Sequence, residues 1–240
     1  MSRLLKALTL TLVLAALTFF TTGCGSSSAQ FRVVDAIPDA PVNFDVAING
    51  KNVFTGVSFE SVEPSSSYQK VSSGSDSVEV FQTGTTTAVI PSTSLSFGGS
   101  SQYTVVLTGR YNSTLPPNVP TAVLLTDNNT APTSGNVEFR IIHASPSTAT
   151  VDIYIVPPGT DITNAPKTFS GLTFQQASPS YASLAGGTTY SVIATFAGTS
   201  QPIVSLNYNP GSAGAIATMV LADQPGGGFP PQWLPLTDVQ

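Results

Sequence analysis

A chain of 240 residues with 13 acidic and 8 basic side chains has a formal net charge of −5, and only 9% of it is charged, against ~25% in an average soluble protein. No basic stripe offsets the acidic balance, so nucleic acid is excluded as an expected partner. With 41% apolar residues, many of them β-branched or aromatic, the chain can build packed cores and is not a disordered tail.

Residues 1–23 read as a lipoprotein signal peptide. Arg3 and Lys6 precede an uncharged apolar stretch from Ala7 to Phe20, too short for the ~20 residues of a comfortable bilayer span. The Gly23-Cys24 pair that follows resembles a bacterial lipobox, in which the cysteine sulfur receives diacylglycerol and the chain is cut just before it. Thr21 stands where a lipobox usually has an aliphatic residue, and Ser27-Ser28-Ala29 offers an alternative cleavage site for ordinary secretion. Cys24 is the sole cysteine, so no intramolecular disulfide can form, and acylation accounts for an exported thiol. Gly25 in place of Asp points to the outer membrane or cell surface. The expected membrane contact is thus the lipid on Cys24, with 24–30 as a flexible tether.

From Phe31 one pattern is written twice. Phe31-Arg32-Val33-Val34 matches Phe139-Arg140-Ile141-Ile142, Asp45 matches Asp152, Phe54-x-Gly56-x-x-Phe59 matches Phe169-x-Gly171-x-x-Phe174, and Tyr68 matches Tyr181. The ends agree too, TAVLLTD closing at Asp127 and QWLPLTD at Asp238. The repetition predicts domains over 31–128 and 139–240, joined by a linker at 129–138. Within each copy the apolar period is two, as in Val42 to Ile48, which predicts strands with one buried and one wet face. Asn49-Gly50 fits a type I′ hairpin turn. Further strands are expected at 77–81, 88–95, 103–108 and 121–126. Several short strands per copy, punctuated by Gly and Pro, predict an all-β chain of two tandem immunoglobulin-like β-sandwich domains.

Phe139 to Pro146 (FRIIHASP), together with Pro38-Asp39-Ala40-Pro41 and Asp45-Val46, resembles the opening motif of the bacterial domain-of-unknown-function family 4397. The resemblance implies an exported or lipid-anchored all-β protein, often with tandem copies, and no assigned activity.

Few residues suggest chemistry. His143, the only histidine, aligns with Asp35, and both residue types suit a hydrogen-bonding position before the Ala-x-Pro bend. A single histidine without a free cysteine leaves no His/Cys metal cluster, and Asp35, Asp39 and Asp45 lack calcium-loop spacing. There is no G-x-S-x-G elbow, P-loop or dinucleotide fingerprint. No cofactor and no catalysis are therefore expected. The recurring aromatics read as core. Phe229 in Gly226-Gly227-Gly228-Phe229-Pro230-Pro231, near Trp233, belongs to a loop that differs between the copies, so Phe229, Trp233 and His143 are the candidate binding residues. The expected function is a cell-envelope lipoprotein that binds, adheres or supports structure, with an envelope protein or polysaccharide as ligand. The alternatives are a carbohydrate-active hydrolase using loop carboxylates and an assembly factor acting by strand addition.

Overall fold

The computed structural model describes residues 27–238; the signal-peptide reading and Cys24 lie outside them. The described residues contain strands and no helix. The first copy supplies β1 (Ser28–Asp35), β2 (Phe44–Ile48), β3 (Lys51–Val57), β4 (Val62–Glu63), β5 (Gln69–Ser72), β6 (Gly74–Gln82), β7 (Ala88–Phe97), β8 (Gln102–Thr108) and β9 (Thr121–Asp127). The second supplies β10 (Asn136–His143), β11 (Val151–Val156), β12 (Phe169–Leu172), β13 (Ala182–Ala185), β14 (Tyr190–Phe196), β15 (Pro202–Tyr208), β16 (Ile216–Asp223) and β17 (Pro231–Thr237).

Each copy folds into two facing sheets. In the first, β4 and β5 share one edge of β1, followed by β8 and β9, and this sheet covers β3-β2-β6-β7. In the second, β13-β10-β16-β17 covers β12-β11-β14-β15, so the order repeats. Both copies are β-sandwiches. Each has one parallel pair, β1 with β8 and β10 with β16, because the first and the next-to-last strand of each copy run the same way side by side. Asn49 and Gly50 adopt φ of 50° and 75°, the left-handed values a type I′ turn needs at both central positions. Gly56 and Gly171, with φ of 72° and 68°, occupy matched kinks in β3 and β12, which explains their place in the repeated Phe-x-Gly motif.

Two details differ from the sequence expectation. The strands start early: β1 begins at Ser28, inside the expected tether, because Ala29 is fully buried opposite Val71. β10 likewise begins at Asn136, inside the expected linker, with Val137 buried against Leu184. The second difference is larger, since few of the central strands have a wet face. The sheet containing β1 and β8 packs against the sheet containing β10 and β16, so Val34, Val106 and Leu125 meet Ile142, Val220 and Leu236 in a third apolar layer. Alternate residues of β1 therefore face two different cores, Phe31 and Val33 inward and Arg32 and Val34 toward the other copy.

β2 is also buried throughout. Its Asp45 accepts hydrogen bonds from Gly56 N, Gly84 N and Thr83 Oγ1, each at 3.0 Å. Asp152 repeats the arrangement with Gly171 N and Gly198 N at 2.9 and 2.8 Å, and adds Lys167 at 2.6 Å. The repeated aspartate thus ties two loops to the second strand of each copy. Burial opposes each carboxylate, yet these donors hold both carboxyls below the ordinary range.

Candidate functional site

The charges most hidden from water lie between the two sandwiches. Arg32 and Arg140 point into the layer between the sandwiches, and each finds its carboxylate in the other copy. Arg32 bonds Asp238 and donates to Thr237 O at 2.8 Å. Arg140 bonds Asp127 and donates to Thr126 O at 2.7 and 2.9 Å. Thr104 and Thr218 link each arginine to the aspartates, and the rings of Tyr68 and Tyr181 lie 5.5 and 5.2 Å from the two guanidinium carbons. Burial disfavours the Arg140 charge, but Asp127, Tyr181 and Asp238 hold it above its ordinary value. Burial also pushes the Tyr181 hydroxyl up to about 12. The result is a crossed pair of salt bridges that clasps the two sandwiches together. The sequence carried its signal, a repeated Arg in an apolar strand and a repeated Asp at each copy's end, without showing that they pair crosswise.

His143 is fully buried. Its Nδ1 accepts from Ser145 N at 3.3 Å and its Nε2 donates to Ala149 O at 3.1 Å, so both ring nitrogens serve the bend that follows β10. Asp35 does the same job in the first copy, its Oδ1 accepting from Ile37 N at 2.8 Å. The flanking backbone pairs correspond as well: Asp35 with Ser61 and Glu60, His143 with Gln176 and Gln175. Burial lowers the His143 pKa and raises that of Asp35 to about 7. Just beyond, Asp223 accepts from Ser145 Oγ, Ser147 Oγ and Gly228 N, with Arg110 of the first copy 3.8 Å away.

Trp233 is buried in the second core, and its indole N–H has no protein partner among the described residues. Phe229 is different. It is 54% exposed and stacks on Phe196, itself 38% exposed, with centroids 5.8 Å apart and planes 14° from parallel. β14 delivers Phe196 at its last residue, and the loop between β16 and β17 delivers Phe229. That loop is anchored at its base, since Gly226 N donates to Pro38 O at 2.7 Å and Gly228 N to Asp223 at 3.0 Å. Two offset-stacked apolar rings therefore form an exposed aromatic patch on a braced loop. The loop singled out Phe229 in sequence; Phe196 had no such mark, because only pairing across the domain end brings it alongside. Of the candidate residues, the structure brings Phe229 to the surface, buries Trp233 and His143 separately, and leaves Cys24 outside the described residues. No group of three His, Cys, Asp or Glu side chains suited to a metal occurs among the described residues.

The family described as "Domain of unknown function (DUF4397)" matches residues 29–154, more than half of the chain, and the chain belongs to that family. No curated protein matches it. Among solved structures, the chain is similar to CBMbc, a family 26 carbohydrate-binding module of Eubacterium rectale Amy13K solved in complex with maltoheptaose. Identity is 8%, coverage 89% of this chain and 97% of that one, and the TM-score 0.28, a likeness that carries no argument about ligand.

Proposed function

We propose that this member of the DUF4397 family is an exported envelope lipoprotein, acylated at Cys24, that binds polysaccharide without catalysis through the Phe196–Phe229 surface. One observation carries the reading: two exposed, near-parallel rings on a braced loop end, while the buried ionic groups are spent on scaffold. The uncovered face of an exposed aromatic ring suits the C–H face of a sugar, and the hydroxyl- and amide-rich exterior of a chain with 9% charged residues suits a neutral, hydroxylated ligand better than a charged one. Strand addition is the weaker alternative. Two of the outer strands, β7 and β15, contain Pro91 and Pro202, and proline cannot donate to an added strand.

Co-sedimentation with insoluble polysaccharides (amylose, cellulose, chitin and purified cell-wall sacculi) tests the binding. Retention on at least one, lost in Phe229→Ala and Phe196→Ala, is the expected result; retention on none, or equal retention of the variants, rejects the reading. Mass spectrometry of the mature N-terminus tests the anchor: a diacylglyceryl-modified Cys24 is expected, and a free N-terminus near Gln30 contradicts it.

A further inference from the structure

Cations are scarce in this chain, and their placement is uneven. The described residues hold three arginines and three lysines. Arg32, Arg110 and Arg140 face aspartates between the two sandwiches, and Lys167 pairs with Asp152. Lys51 and Lys70 alone have no ion pair among the described residues, and both line the same cavity of about 290 Å³ at the open end of the first sandwich. Asp76 lines it as well. This carboxylate is 7% exposed, Asn49 Nδ2 fixes its Oδ1 at 2.7 Å, and its buried Oδ2 has no hydrogen-bond partner. Phe31 and Val53 give the cavity an apolar wall.

The second sandwich supplies an internal control. Ile48 pairs with Val78 in the first copy as Ile155 pairs with Val192 in the second, so Asp76 corresponds to Tyr190. The ring of Tyr190 packs edge-on against Phe139 at 5.8 Å, and its hydroxyl donates to Ala185 O at 2.9 Å. The pairings of β1 with β5 and of β10 with β13 likewise place Ser183 where the first copy has Lys70, and Ala182 where it has Gln69. The second copy closes this end with a satisfied aromatic; the first leaves a cavity, a buried acceptor without a donor, and two uncommitted ammonium groups.

We infer that the open end of the first sandwich, where Lys51 and Lys70 meet Asp76, binds a hydroxylated carboxylate of monosaccharide size, a sugar acid. Two cations around one carboxylate favour an anion, whose carboxylate takes the lysines. A ligand hydroxyl then donates to Asp76 Oδ2 without adding charge, which relieves an otherwise costly buried acceptor. The cavity volume matches the low end of small-molecule sites, ~300 Å³. This site is distinct from the Phe196–Phe229 surface and does not depend on it.

Calorimetric and NMR titrations of the purified protein with D-glucuronate, D-glucose and acetate test the inference. Glucuronate is expected to bind one site at least about tenfold more tightly than either comparison compound, to weaken with added salt and to shift the Asn49, Gln69 and Val71 amides. The exposed double substitution Lys51→Ala with Lys70→Ala, and Asp76→Tyr, which copies the second sandwich, are expected to abolish binding, while Phe229→Ala leaves it unchanged. Equal affinity for glucose overturns the charge requirement, and equal affinity for acetate overturns the hydroxyl requirement. Absence of glucuronate binding, or binding that survives the lysine substitutions, overturns the site itself. Loss of polysaccharide retention in Phe229→Ala with glucuronate binding intact separates the two readings.

Discussion

The two sandwiches keep one strand order and one set of backbone bends, yet matched positions hold different chemistry. Asp35 and His143 occupy the same bend, and Asp76 and Tyr190 the same inward site. The lesson is that a repeated topology keeps what the backbone requires, a hydrogen-bond acceptor two residues before an N–H or a positive-φ glycine, and varies what only a side chain's surroundings require. Arg32 and Arg140 stayed alike for a further reason: each one's partner lies in the opposite copy.

That reciprocity gives the largest expected effect. Asp238→Ala leaves Arg32 buried without its carboxylate, and Asp127→Ala leaves Arg140 with only Asp238 at 3.8 Å, so each is expected to cost about 3–5 kcal/mol in denaturant unfolding. The two-copy clasp is broken as an idea if either substitution changes stability by less than about 1 kcal/mol, since the bridges would then behave as exposed pairs.

The Asp35 and His143 comparison predicts opposite pH responses. Burial raises the Asp35 pKa from 3.8 to about 7, so the folded state prefers the protonated form. Its contribution is full below about pH 4 and is lost as pH rises toward 7. Burial lowers the His143 pKa from 6.5, so the folded state prefers neutral imidazole; its contribution is full above pH 6.5 and is lost as pH falls below that. Stability profiles of Asp35→Asn and His143→Gln should each lose one of these slopes, and loss of the same slope in both would contradict the assignment. Smaller still, Tyr190→Phe removes the bond to Ala185 O and should lower stability by about 0.5–1.5 kcal/mol. At the bottom of the scale, Phe229→Ala should leave thermal stability within about 0.5 kcal/mol, because its ring is largely outside the core; a larger loss would mark it as a structural plug.

Much of the fold was legible because period-two patterning and Asn49-Gly50 report local geometry directly. The third apolar layer was not. Arg32 on the outward face of β1 reads as a solvent-facing charge until the partner sheet is known, and Val34 beside it looks like an ordinary exposed valine. The site was legible only in part: Phe229 sat in a loop that broke the repeat, whereas Phe196 and Asp76 sit inside regular strands, where alternation alone cannot tell a filler from a group left facing space.

The separation of 206 residues between Arg32 and Asp238 has a consequence for how the molecule is made. A ribosome releases the guanidinium long before its counter-ion exists, so the contact stays open until Asp238 has been made. Any loss of chain that removes Asp238 would therefore be felt in β1, which ties the folding of that strand to residues beyond β17.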